Sequence, residues 1–177
     1  MPATPTPINA RSVARLFMLF PFDNTAKSRF HQGLQAAAPK IGVKTFTAPV
    51  GSETDIQQTI SAMGRDAGNG LIVMTDSFMG MHRKSIIALA ARHKVPAMYY
   101  VGSMVEEGGL LSYGVDYTDL FRSAAPYVDR ILRGAKPADL PVQQPTRFEL
   151  VLNLKTAKAL GLKIPYSIML RADRVIE

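Results

Sequence analysis

The sequence has no cysteine among its 177 residues, which removes thiolate catalysis, cysteine-ligated metals and a disulfide framework together. No apolar run approaches the ~20 residues needed to span a bilayer. The leader MPATPTPINARS lacks the continuous apolar core of a secretory signal peptide, so the residues alone predict no export signal. No GxGxxG, P-loop or GxSxG motif occurs. The three histidines, His31, His82 and His93, fall on predicted helices without metal-ligand spacing and read as surface or helix C-terminal charge. No metal site, cofactor site or catalytic pair is therefore expected.

What is present is an ordinary soluble composition. Hydrophobic residues make up 47% and charged residues 20% of a length that suits one α/β domain with a real core. The formal charge of +7 invites a nucleic-acid partner, yet the basic residues are dispersed as singles and pairs such as Arg83-Lys84, with no block interleaved with aromatics. A solvated basic helix face accounts for them, and no nucleic-acid partner is expected.

Strand and helix signals alternate along the chain. ARLFMLF (Ala14 to Phe20) is an apolar run of strand length, suited to a strand covered on both faces. Asp23 or Asn24 then caps a helix with Phe30, Leu34 and Ala37 or Ala38 inward. VKTFTA (Val43 to Ala48) reads as a strand, and SETD (Ser52 to Asp55) as a capping box opening a helix with Ile56, Ile60 and Met63 at helical spacing. GLIVM (Gly70 to Met74) is the most strand-like run, followed by a helix from about Phe78 to His93, the strand VPAMYYV and the strand LLSYG. In the next helix Asp116 or Thr118 caps, Leu120, Phe121, Ala124, Val128, Ile131 and Leu132 share one broad face, and Pro126 kinks it or ends its first segment. GAKPADLPVQQPT (Gly134 to Thr146) is a proline-punctuated connector; RFELVLNLK alternates as a strand, TAKALGL makes a short helix closed by Gly161, and IPYSIMLRADRVIE forms a final segment. Such alternation predicts an α/β fold with a mainly parallel, doubly wound sheet.

In such sheets ligands bind outside the carboxyl ends of the strands, beside helix N-termini. The residues following the proposed strands supply the acids Asp23, Asp76 and Asp116, the hydroxyls of Ser52, Thr75, Ser77 and Ser103, and the aromatics Phe22, Phe78, Tyr100 and Tyr113. An aromatic wall with a few placed polar groups suits a small-molecule crevice. Each residue also has a plain structural role: the acids and serines as N-caps, Phe22 and Phe78 as core, Gly108, Gly109 and Gly114 as turns, and Met74, Met79 and Met81 as gap fillers or the lining of an adaptable pocket. Asp23 and Asp76 also imitate the acidic pocket of phosphorelay receiver domains, but neither YYVGS nor SYGVD supplies the lysine which that chemistry needs.

The segments AARHKVPAMYY, EEGGLLSYGVDYTDLFRSAAPYVDRILRGAKPADLPVQQPTRFELVLNLKTAKALGLKIP and RADRVIE resemble the ABC-transporter substrate-binding proteins of the group that includes tryptophan- and tyrosine-binding components. The resemblance runs from about Val13 onward. It implies a type I periplasmic binding fold, two doubly wound lobes that close on a small-molecule ligand by hinge motion, delivery to a membrane permease of an ABC transporter, and a periplasmic location; a true start at Met1 would instead imply the cytoplasm. Family chains begin with an export signal and a first lobe, so the resemblance places the start of this sequence where their second lobe begins. Residues 1–12 are then a flexible leader, 13–110 a ligand-binding lobe, and 111–177 a hinge crossing, helix and tail.

On this reading the ligand site comprises Asp23, Asn24, Asp76, Ser77, Tyr100, Tyr113 and Asp116. Asp76 or Asp116 accepts a ligand amine, Asn24 and Ser77 hold polar ends, and the tyrosines stack on an apolar or aromatic body, without turnover. The wide apolar face of the helix after Asp116 predicts a homodimer in which a second copy covers it. A lobe that has become a dimerising interaction or sensory module is the alternative.

Overall fold

The first long strand is the apolar run read from the sequence. The computed structural model describes residues 6–7, 13–22 and 29–177. A short strand β1 (Thr6–Pro7) precedes β2 (Arg15–Pro21), whose residues Met18 and Leu19 are fully buried. Helix α1 (Arg29–Ala37) runs into a 3-10 turn ended by Gly42, whose φ of 74° is left-handed backbone that glycine adopts without a Cβ penalty. The predicted cap of this helix, Asp23 or Asn24, lies outside the described residues.

Strand β3 (Lys44–Val50) leads to α2 (Glu53–Met63), where the Ser52 hydroxyl accepts a hydrogen bond from the Asp55 amide at 3.1 Å and Gly51 N–H donates to Asp55 Oδ2 at 3.0 Å. These two bonds satisfy amides that would otherwise be orphaned at the start of the helix. The Gly51 amide bond is the main reason the Asp55 carboxyl sits below its ordinary pKa, with the Ser52 hydroxyl adding to the effect. On the inward face Ile56 and Ile60 are fully buried, each stabilising the fold by roughly 1.5–3 kcal/mol.

Strand β4 (Asn69–Val73) is buried along its whole length. The helix expected over 78–93 is two helices, α3 (Ser77–Met81) and α4 (Arg83–Arg92), which meet at His82 with φ −92° and ψ 9°. Gly80, a poor helix former, stands two residues before the break. Strand β5 (Ala97–Tyr99) is shorter than the expected VPAMYYV, because the chain turns at Tyr100 into α5 (Gly102–Glu106).

Strand β6 (Leu111–Val115) feeds α6 (Tyr117–Leu132), which continues through Pro126 where a break was one of the expected outcomes. Pro126 is exposed, so water can reach the carbonyl of Arg122 that loses its helical partner. After the connector come β7 (Phe148–Asn153), α7 (Leu154–Ala159) ended by Gly161 at φ 72°, β8 (Leu162–Lys163), α8 (Tyr166–Met169) and β9 (Arg174–Ile176).

Seven strands form one sheet in the order β3-β2-β4-β5-β6-β7-β9. Every neighbouring pair is parallel except β6 with β7, which are antiparallel over Leu111↔Leu152 to Val115↔Phe148. The main core joins Leu19, Val50, Ile60, Val73, Ile86 and Met104; a second cluster of Leu110, Leu152, Ala157 and Ile164 attaches the C-terminal segment. Arg174 pairs with Glu106 and, at 3.5 Å, with Glu149, tying the edge strand β9 to α5 and β7. Among the described residues no helix is long and apolar enough to cross a membrane.

Candidate functional site

Because β2 through β6 are parallel, their carboxyl ends share one edge of the sheet. There a cavity of about 400 Å³ opens between the ends of β4, β5 and β6 and the starts of α6 and β7. Met74 and Thr75 follow β4, Tyr100 follows β5, Tyr113 lies on β6, Tyr117 begins α6, and Phe148 begins β7; none of the described residues lining the cavity is charged. Such a wall accepts an uncharged, apolar body with a few hydroxyls to orient it.

The returning strand completes this wall. Tyr113 is paired with Leu150 and Val115 with Phe148, so Tyr113 and Phe148 are diagonal neighbours across the β6/β7 ladder. Their rings stack with centroids 5.8 Å apart and planes 21° from parallel. Both remain about half exposed, Tyr113 at 55% and Phe148 at 47%, so the pair keeps an open surface.

Tyr100 forms the inner end. Its hydroxyl lies 3.2 Å from where a Cβ on Gly80 would stand, which brings the phenol against α3. Burial raises the Tyr100 pKa above its usual value, Tyr117 and Asp76 push it the same way, and Arg83 opposes them. The phenol therefore stays neutral at ordinary pH and both donates and accepts hydrogen bonds. Arg83 itself is held by Glu107 at 2.9 Å and donates to the Gly80 carbonyl at 3.2 Å.

Of the residues expected at the site, Tyr100 and Tyr113 meet in this cavity. Asp76 is the N-cap of α3, its carboxylate accepting from the Phe78 amide at 2.7 Å, and Ser77 is exposed at the first position of that helix. Asp116 caps α6: its Oδ1 accepts from the Asp119 amide at 3.0 Å and its Oδ2 lies 3.4 Å from Arg147 Nε. It lines a separate polar recess of about 460 Å³ with Asp119, Ser123, Gln143 and Arg147. Asp23 and Asn24 lie outside the described residues.

The residues that sequence reasoning left out are Tyr117 and Phe148. Tyr117 reads as helix, and Phe148 as the first residue of an alternating strand; the missing signal was the pairing of β7 beside β6. Met74 lines the cavity as one of its two expected roles, Met79 is fully buried core, and Met81 is exposed.

Helix α6 contains no buried residue. Its flank carrying Leu120, Tyr127 and Ile131 faces the connector, to which the Tyr127 hydroxyl donates at the Pro141 carbonyl at 2.6 Å. Phe121, Val128 and Leu132 stay open, with Leu132 81% exposed.

A doubly wound sheet of this order, with the leaving strand β6 and the returning strand β7 side by side, is the architecture of a periplasmic-binding-protein lobe. The family model for ABC transporter substrate binding proteins matches residues 12–176, and the chain belongs to that family. It is 25% identical over 126 residues to a tyrosine-binding protein of Clostridioides difficile, an alignment covering 71% of this chain and 36% of that protein. Among solved structures it resembles an ABC domain from Streptococcus pneumonia in complex with L-Trp, with a TM-score of 0.81, 28% identity, and coverage of 94% of this chain and 57% of that one. A conserved domain protein from Vibrio cholerae superposes with a TM-score of 0.80 at 26% identity, over 93% of this chain and 55% of that one. The chain thus spans little more than half of these solved relatives and about a third of the tyrosine-binding protein.

Proposed function

We propose that this chain is the solute-binding part of an ABC import system, holding an amino acid with an aromatic or branched side chain and releasing it unchanged to a membrane permease. The uncharged cavity walled by Tyr100, Tyr113, Tyr117 and Phe148 carries this reading, since its chemistry suits an apolar side chain. The tyrosine named for one relative and the L-Trp bound in another point to the same ligand class. Asp76 and Ser77 after β4, Asp116 after β6, and Asp23 and Asn24 after β2 in the sequence are the proposed partners of the charged ammonium and carboxylate. On this reading residues 13–110 are the ligand-binding lobe and 111–177 the hinge crossing, helix and tail, and the protein works outside the cytoplasmic membrane. Calorimetric titration with a panel of aromatic, branched and charged amino acids tests it: binding confined to the first two groups is expected, and no heat with any of them would remove its support.

One observation favours a second reading. The open stripe Phe121, Val128 and Leu132 on a helix without a buried residue suits a dimerising module in which a second copy covers α6.

A further inference from the structure

In sequence the basic residues are scattered, and the fold gathers six of them along the sheet edge opposite the cavity. The amino ends of β2 through β6 and the carboxyl end of the antiparallel β7 share that edge. Across it, Lys40 and Lys44 lead into β3, Arg65 stands before β4, Arg92 and Lys94 precede β5, and Lys155 follows β7. The segments are close neighbours: Lys44 N–H donates to the Ala14 carbonyl at 3.0 Å, and Asn153 N–H to the Leu110 carbonyl at 2.9 Å. A Cβ on Gly64 would stand 2.8 Å from the His93 Cβ, which sets the loop of Arg65 beside that of Lys94. All six cations are exposed, and among the described residues none is in an ion pair. The acids on this edge are Asp66, held by Arg15 at 3.4 Å, Glu107, held by Arg83 at 2.9 Å, and Glu177 beyond β9. A helix dipole accounts for Arg92 at the end of α4, but Lys44 opens a strand and Lys155 stands in the first turn of α7, where a cation opposes the dipole. Between Lys40 and Lys44, Ile41 is 63% exposed at the turn ended by Gly42.

We propose that this amino edge of the sheet docks on an anionic lipid bilayer, its six cations lying over the headgroups and Ile41 entering between them. The proposal is independent of the solute-binding reading above. From β3 to β7 the row crosses roughly 24 Å at ~4.8 Å per strand, too wide for one small anion to bridge. A bilayer offers mobile anionic headgroups over that whole width, and each Lys or Arg brought close to such a surface tightens attachment about fivefold. The exposed isoleucine gains by entering lipid, whereas a phosphodiester backbone or an acidic peptide offers it no apolar medium. Because the cavity lies at the other ends of the same strands, a chain held in this way keeps it turned to solution.

The test is co-sedimentation of the full chain with vesicles of phosphatidylcholine alone and of phosphatidylcholine mixed with phosphatidylglycerol, at low and at physiological salt. Wild type is expected to bind only the anionic vesicles and to bind them less tightly at the higher salt. Arg92→Glu, Lys94→Glu and Lys155→Glu together should weaken that binding at least about tenfold. Arg130→Glu, Lys136→Glu and Arg171→Glu together change the net charge equally but lie away from this edge, and should weaken it by less than about threefold. Ile41→Ser should weaken it about two- to fivefold at either salt. Thermal melting by circular dichroism checks that each variant folds. Equal losses in the two triple variants would reduce the effect to net charge and overturn the docking face. Wild type that leaves anionic vesicles unbound, or that binds duplex DNA or polyglutamate more tightly than those vesicles, would overturn it as well.

Discussion

Gly114 lies directly beneath the main chain of Tyr100. A Cβ at this glycine would overlap the Tyr100 carbonyl oxygen and stand 2.9 Å from its carbonyl carbon. Neither atom belongs to a flexible side chain, so a substitution there must part β6 from the end of β5. Gly114→Ala is expected to destabilise the protein by at least the ~1–3 kcal/mol typical of overpacking, seen as a lower urea midpoint. A midpoint equal to wild type would mean that the strand ends separate freely. The cavity lies on this seam, so ligand affinity should fall with stability.

Asp116 serves two partners at the point where β6 becomes α6. Asp116→Ala removes both the cap on the Asp119 amide and the ion pair with Arg147, and should cost about 1 kcal/mol. Arg147→Ala removes only the ion pair, whose arginine is largely exposed, and should cost well under ~1 kcal/mol. Hydrogen exchange in the first turn of α6 should quicken in the first variant and not in the second. Equal effects would make the ion pair, and not the cap, the dominant interaction.

Tyr99 is 1% exposed in the main core, and burial drives its phenol pKa well above the ordinary value. The unfolded chain ionises this group near pH ~10 while the folded chain keeps it neutral. Its contribution is therefore fully present below about pH 10 and is lost as pH rises through the folded-state value. Alkaline denaturation should begin above about pH 10, with absorbance at the phenolate band showing one tyrosine that titrates only on unfolding. Tyr99→Phe should lessen the loss of stability on the alkaline side; an unchanged pH profile would assign the loss elsewhere.

If a second copy covers α6, Phe121→Glu and Leu132→Glu should convert a self-associating protein to monomer in sedimentation velocity at micromolar concentration. Wild type that sediments as a monomer throughout that range would end the dimer reading. Neither residue lines the tyrosine-walled cavity, so ligand affinity provides an independent control for the fold of each variant.

The doubly wound sheet was legible because its parallel strands are nearly continuous apolar runs, as in LIV of β4, and because Ser52 and Asp116 carry cap chemistry in the residue type itself. What stayed hidden depends on contacts between distant segments. Helix α5 is only five residues long and lies between VPAMYYV and LLSYG, where the sequence reading names no element. Tyr100 and Tyr113 could be placed near the strand-end cavity from their position after or within strands, but Phe148 is 35 positions beyond Tyr113 and becomes its neighbour only through antiparallel pairing. Asp116 shows why residue type alone does not assign a role: an acid at a strand end serves as a helix cap and lies 3.4 Å from an arginine, contacts that the sequence position does not reveal.

The antiparallel β6/β7 ladder makes residues 116–147 topologically detachable. Val115 and Phe148 are direct partners, and the Asp116 amide donates to the Arg147 carbonyl at 3.1 Å, so the excursion leaves and re-enters the sheet through a single gate. A tight turn across that gate would turn β6 and β7 into a plain hairpin with its register intact. The sheet can therefore be handled as a chassis and α6 with its connector as a removable cassette, open to exchange or grafting without rebuilding the core.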